Sequence, residues 1–291
     1  MQRIRDILAS GTRTLSYEFF TPKTAEGRET LLQNARTLVA EARPDFISVT
    51  YGAGGTTREH TTALVVRLQH DLGIPVMHHL TCIGHSRDEL RAIVSDLRMQ
   101  GVDNILALRG DPPRGTDTWK AHPDGFHYAW ELVRMIHEVA PECSIAGAAF
   151  PENHPESQDP ELDAEYLRQK VEQGASFLIT QLFFEVELYK NYLDRLGRHA
   201  VSVPVLPGIL PVTNYQNLVN FTAGCKASIP DFVHKRFAPL ASDDEATRQA
   251  GIDLAVEQCG HLMNAGSPGL HFYTLNRVEP VLSIVRKLGL H

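Results

Sequence analysis

The chain has 291 residues, 43% hydrophobic and 22% charged, a mix that excludes an intrinsically disordered protein. Its 28 Lys and Arg stand against 35 Asp and Glu, a net charge of −7. That balance argues against a nucleic-acid partner, whose footprint is a basic stripe.

The first residues, Met1-Gln2-Arg3-Ile4-Arg5-Asp6, contain no apolar signal-peptide core, and no run approaches the ~20 apolar residues that cross a bilayer. The expectation is a cytoplasmic protein with no membrane partner. Cys82, Cys143, Cys225 and Cys259 are scattered without a CxxC spacing, which suits buried, reduced thiols better than a disulfide framework.

Eight short runs rich in β-branched and aromatic residues recur along the chain: 15–20, 46–52, 75–82, 104–110, 144–150, 177–184, 203–210 and 270–275. Most are apolar throughout rather than alternating, as parallel strands covered on both faces require. Segments with helical period lie between them. In 29–42 the apolar set is Leu31, Leu32, Ala35, Leu38, Val39 and Ala42; similar sets fall in 89–99 and 129–140. Thr56 with Glu59, Ser86 with Glu89, and Ser242 with Glu245 have capping-box spacing. Gly101 and Gly174 follow periodic runs, where a left-handed residue ends a helix. The connection 211–269 is the longest and is expected to hold more than one helix.

Strict alternation of strand and helix implies a parallel sheet with right-handed crossovers. Eight such units close into a single (β/α)8 TIM barrel, read as one catalytic domain over 1–291. An open doubly wound sheet is the competitor, but Thr21-Pro22-Lys23 follows the first strand where that fold carries a glycine fingerprint.

In a barrel the chemistry sits at the C-terminal strand ends. The first strand ends Tyr17-Glu18-Phe19-Phe20. Aromatic neighbours are expected to raise the carboxyl pKa and suit Glu18 to general acid catalysis; an ion-paired glutamate is the plainer alternative. The fourth strand runs into Arg109-Gly110-Asp111, the second into Tyr51-Gly52-Ala53-Gly54-Gly55. Either loop could approach a phosphate closely, or be an ordinary turn. Gln181 lies in the sixth strand and Arg277 follows the eighth. Adjacent His78 and His79 must point to opposite faces of a strand. With no His-x-His on the first strand and no HExxH, a catalytic metal is not expected. There is no G-x-S-x-G elbow either. The inventory suits proton and hydride traffic on a flat, polyanionic ligand.

The series YEFFTPK (17–23), FISVTYGAGG (46–55), HLTC (79–82), ALRGDPPRG (107–115), FPENHPES (150–157), ITQLFF (179–184), LPGILPVTNY (206–215) and HFYTLNR (271–277) resembles the methylenetetrahydrofolate reductase family across the whole chain. The resemblance implies reduction of 5,10-methylenetetrahydrofolate to the 5-methyl form by NADH or NADPH through bound FAD. It also implies ring opening by protonation at N10 before hydride arrives. By resemblance, Glu18 is the proton donor and Asp111 the carboxylate beside flavin and pterin. The FAD set is Tyr51, Ala53, His79, Arg109, Gly110, Asp111, Ala129, Phe150, His154, Asp163, Tyr166, Gln169 and Lys170. Thr50 would meet the nicotinamide, and Gln181, Asn217 and Arg277 the folate. Tyr166 and Gln169 stand where some members have Asn and Arg. Asn217 stands for a Gln and Phe150 for a common Tyr. The family's habit also implies a homo-oligomer. A flavin-free reductase, a non-catalytic folate- or flavin-binding barrel and a metal-dependent hydrolase are the alternatives carried forward.

Overall fold

The computed structural model describes residues 1–52, 58–111, 120–154, 156–157 and 159–290. Its strands are β1 (Thr14–Phe20), β2 (Phe46–Thr50), β3 (Val76–Thr81), β4 (Asn104–Leu108), β5 (Ser144–Ala149), β6 (Phe177–Thr180), β7 (Val205–Leu206), β8 (Gly208–Ile209) and β9 (Gly269–Tyr273). Neighbours pair in the order β7-β6-β5-β4-β3-β2-β1-β9-β8, each pair parallel.

The run expected as one strand over 203–210 is split. Val205–Leu206 pairs with β6 and Gly208–Ile209 with β9, so the stave changes partner at Pro207. A proline has no N–H for a ladder, yet its carbonyl still accepts from His271 N at 3.1 Å. The break closes the sheet into a (β/α)8 barrel of eight staves. The sixth strand stops at Thr180, short of the expected 184, because Leu182 and Phe184 turn into an apolar cluster with Leu210, Val212 and Phe237.

The helices are α1 (Ile4–Ala9), α2 (Ala25–Glu41), α3 (Arg58–Leu72), α4 (Arg87–Met99), α5 (Ala129–Val139), α6 (Pro160–Glu172), α7 (Val186–Arg198), α8 (Tyr215–Cys225), α9 (Asp231–Phe237), α10 (Asp244–Asn264) and α11 (Val281–Lys287). The expected 211–269 connection holds α8, α9 and α10. Ser86 and Glu89 form the expected capping box. At α10 the cap is Asp243, not Ser242: its carboxylate accepts from Ala246 N at 2.9 Å, a strong N-cap acceptor one residue closer to the helix. Thr56 lies outside the described residues. Gly101 and Gly174 take φ of +74° and +121°, as helix-ending positions require.

Outward residues of the strands, such as Tyr17, Phe19, Ile47, Val49, Ile105 and Leu178, pack under the helices in the main core. Inward residues divide by height. Phe46, Met77, Leu106, Phe177 and Leu206 fill the lower interior, and Ile4 and Leu8 of α1 join them as a plug. Ile4 N and Arg5 N fasten the plug to Asn104 Oδ1 (2.8 Å) and Ser144 Oγ (2.9 Å). Burial of these side chains contributes roughly 1.5–3 kcal/mol each.

Candidate active site

Above the plug, polar side chains replace apolar ones on the inward face of β9, β1, β2 and β3. Glu18 and Ser48 are direct neighbours across β1 and β2, and Glu18 is almost entirely buried. Its Oε2 accepts from Ser48 Oγ at 3.3 Å and meets His271 Nε2 at 3.3 Å. His79 Nε2 lies 3.5 Å away. Behind His271, Ser16 Oγ contacts Nδ1 at 2.8 Å. Ser16 Oγ also reaches Leu270 O at 3.3 Å; with its proton turned to Nδ1 instead, the tautomer is the one whose Nε2–H points at the carboxylate.

The expectation that aromatic neighbours raise the Glu18 pKa is corrected here. Strand alternation sends Tyr17 and Phe19 outward into the main core and turns Glu18 toward polar partners. Burial alone pushes its carboxyl up, but His79, the His271 hydrogen bond and the Ser48 hydroxyl together outweigh it. The net direction is downward, because the electrostatic pull of His79 and then the donated hydrogen bonds favour the charged form. Burial drives His79 down to about 4 despite the opposing pull of Glu18. At neutral pH the cluster is therefore a carboxylate beside a neutral His79.

His78 points the other way, as expected for adjacent strand residues; its Nε2 meets Thr62 Oγ1 of α3 at 3.3 Å. Tyr51 follows it outward: its hydroxyl meets His85 Nε2 at 3.2 Å and its ring packs on His78. The tyrosine thus offers the rim its backbone rather than its phenol. Thr50 closes β2, with its carbonyl accepting from Thr21 Oγ1 at 2.7 Å. Ala53 lies outside the described residues.

The rim on the β4–β6 side carries the cations. Arg109 binds Glu156 through two hydrogen bonds of 2.6 Å, and the exposed Asp111 lies within its electrostatic reach. Lys170 Nζ donates to Ala148 O at 3.0 Å; burial lowers its ammonium to about 8, with Asp163 opposing. His154 N donates to Asp163 Oδ2 at 3.1 Å, and the His154 ring stands edge-on to Phe150 at 4.9 Å. Burial, then the charge of Arg109, holds the His154 imidazole below its ordinary range. Ala129 opens α5 in a buried position, while Tyr166 and Gln169 lie on α6. Gln181 sits just beyond β6, partly buried, and its Oε1 accepts from Leu182 N at 2.8 Å. Asn217 on α8 and Arg277 after β9 are exposed.

Several features accommodate a flavin nucleotide. Gly110 has φ of +89°, and a Cβ there would meet Ile83 Cγ2 at 2.6 Å. Only glycine lets the loop after β4 pack this close to Ile83 and Thr81 and turn its backbone to the rim. Thr81 Oγ1 is buried without a hydrogen-bond partner among the described residues, a donor awaiting an acceptor. Arg109 and Lys170 match the charge of a diphosphate.

Ser16, Ser48, His271 and Glu156 belong to the site but escaped sequence reasoning. The strand period of two could have found three of them: Ser16 precedes Glu18 by two, Ser48 precedes Thr50 by two, and His271 faces Ser16 across β1 and β9. Nothing local marks Glu156 as the partner of Arg109.

The fold and this buried acid define a (β/α)8 barrel with a carboxylate–imidazole cluster in its interior and Arg109 and Lys170 at its rim. The methylenetetrahydrofolate reductase profile matches residues 3–289, and the chain belongs to that family. The 5,10-methylenetetrahydrofolate reductase of Salmonella typhimurium is 38% identical over 279 residues, covering 96% of this chain and 92% of the relative. The probable methylenetetrahydrofolate reductase (NADH) of rice is 34% identical over 300 residues, all of this chain but 50% of the relative. The chain thus spans about half the length of the plant and yeast relatives it matches. An uncharacterized protein from Clostridium thermocellum that binds two copies of 5-methyl-5,6,7,8-tetrahydrofolic acid has a solved structure with TM-score 0.66 at 17% identity, over 98% of this chain and 97% of its own. An oxaloacetate acetylhydrolase structure reaches 0.56 at 11% identity, covering 98% and 83%. These two likenesses show the fold alone.

Proposed function

We infer that the chain acts as one catalytic unit reducing 5,10-methylenetetrahydrofolate to 5-methyltetrahydrofolate, with NADH or NADPH as donor and FAD as carrier. The observation that carries this reading is Glu18, a carboxylate surrounded by two imidazoles and a hydroxyl at the open end of the barrel. When bound, FAD supplies a two-electron carrier between nicotinamide and folate. Arg109, Gly110, His154, Asp163 and Lys170 would hold it at the rim, with His79 and Thr81 below, and Ala129, Phe150, Tyr166 and Gln169 alongside. Thr50 and the backbone of Tyr51 would border the same opening; Ala53, outside the described residues, belongs to the set by resemblance alone.

Glu18 would hold a proton at Oε2 for N10 of the folate, opening its five-membered ring. In the free protein the carboxyl sits below its ordinary range, so the proton must be gained as the ligand covers the rim and expels water, which favours the neutral form. Ser16 orients His271, and His271 aims the carboxyl. Asp111 would favour the iminium cation that ring opening leaves. Gln181, Asn217 and Arg277 would position the folate. The folate gains one proton and one hydride, which balances the reduction. A homo-oligomer in the cytoplasm is the matching expectation for the whole protein.

The visible spectrum of purified protein tests this reading. A flavin band that bleaches when NADH is added anaerobically is the expected result. Undiminished NADH-dependent folate reduction with no flavin present would replace it with direct hydride transfer.

A further inference from the structure

The chain leaves β9 through a strained turn. Leu275 and Asn276 take φ of +51° and +61°, two consecutive left-handed residues with no glycine between them. Asparagine tolerates this conformation and leucine resists it. Such a turn persists only where its surroundings over-determine it, and hydrogen bonds hold this one from three sides. Thr274 Oγ1 accepts from Asn276 N at 3.1 Å. Arg277 N donates to Thr274 O at 3.0 Å, and Asn34 Nδ2 of α2 donates to Asn276 O at 2.7 Å.

The turn is fastened to the strand that carries Glu18. Regular pairing of β1 with β9 ends at Glu18 and Tyr273. Beyond it, Glu18 O accepts from Thr274 N at 3.1 Å and from Thr274 Oγ1 at 2.6 Å. The Asn276 amide then takes the place of a backbone rung: its Oδ1 accepts from Phe20 N and its Nδ2 donates to Phe20 O, each at 2.8 Å. A planar amide carries donor and acceptor at fixed spacing, so this pairing sets the distance between β1 and the turn. Arg277 follows directly and is exposed. Unlike Arg286, which pairs with Glu41 at 2.6 Å, Arg277 has no carboxylate partner among the described residues.

Resting on the folate reading of Glu18 and Arg277 above, we infer that Asn276 is a positioning residue that sets the span between the proton donor and the Arg277 guanidinium. The anionic groups of the folate are its glutamate carboxylates, remote from the pterin, and they suit a guanidinium without an internal partner. Binding energy gained at that end helps the chemistry at N10 only if the span to Glu18 is fixed. A turn that merely closes the β1–β9 seam would serve every substrate alike.

Steady-state reduction of 5,10-methylenetetrahydrofolate and of 5,10-methylenetetrahydropteroate, which lacks the glutamate, separates the two roles. The parent should favour the folate in kcat/KM by on the order of tenfold. Asn276→Gly accepts the left-handed backbone without strain but removes the amide rung. It should cut that preference roughly fivefold, chiefly through a raised KM for the folate. Thr274→Ser keeps the hydroxyl between Glu18 O and Asn276 N and should keep the parent's preference, while Thr274→Val should lower it. Equal losses on both substrates in Asn276→Gly, an unchanged preference, or a fall in Thr274→Ser as large as in Thr274→Val would overturn the positioning role and leave the turn a structural seam. A parent indifferent to the glutamate would instead remove the folate reading of Arg277, and the positioning role with it.

Discussion

The two ends of the barrel interior are built from the same strands and obey opposite rules. At the closed end Phe46, Met77, Leu106, Phe177 and Leu206 pack on Ile4 and Leu8. Two residues further along the same faces come Ser48 and His79, beside Glu18 and His271. One step of the strand period thus separates a dry core from a cluster of titratable groups. Both ends carry buried polar atoms without hydrogen bonds among the described residues, Thr14 Oγ1 at the closed end and Thr81 Oγ1 and His79 Nε2 at the open end, at roughly 1–3 kcal/mol each, but the open end gathers them beside a buried carboxylate. A fold bears such a cost where the unpaired groups await a ligand.

Exchanging the character of either end should break the two in opposite ways. Glu18→Gln keeps shape and should lower steady-state folate reduction by ~10²–10⁴, with the melting temperature held, as a turnover assay and a thermal melt would record. Phe177→Ala should do the reverse, costing ~3–5 kcal/mol in denaturant unfolding while low-temperature turnover stays within a few-fold.

His271→Asn should sharpen the open end. Removing the His271 hydrogen bond, which lowers the Glu18 pKa, should raise that pKa. The falling limb of the folate half-reaction's pH profile then moves to higher pH; an unmoved limb would show that His271 only fills space.

Acid should find the buried histidines first. Burial lowers His78 to about 3 and His79 to about 4, from 6.5. The unfolded chain therefore binds more protons below pH 6.5, and stability falls as pH drops from 6.5 toward 4. The slope is up to ~1.4 kcal/mol per pH unit for each histidine. His78→Leu lies outside the site and should flatten this slope by about half in urea titrations at pH 5 to 7. The smallest effect is expected from Thr81→Val: about 1 kcal/mol of added stability in the ligand-free protein, read from the urea midpoint.

The barrel was legible because parallel strands buried on both faces print as apolar runs, and because α2, α4 and α5 carry clear helical period. The plug α1 was not, since six residues are too few to show a period. The break at Pro207 hid inside an apolar run, where only the pairing of β7 and β8 with different strands reveals it. Glu18 was legible as an acid at a strand end, but its pKa was not. Its hydrogen-bonding partners Ser48 and His271 lie 30 and 253 positions away, and local aromatics that point outward cannot set its environment. Conversely Tyr51, read as a rim residue, turns its ring into the helix layer.

Glu18, as proposed, delivers the folate's proton and takes no part in accepting hydride from the nicotinamide. Anaerobic stopped-flow measurement of both half-reactions in Glu18→Gln tests it most directly. Flavin bleaching by NADH should stay within about threefold of the parent, and reoxidation by methylenetetrahydrofolate should slow by ~10²–10⁴. Reoxidation at the parental rate, or equal slowing of both half-reactions, would contradict it.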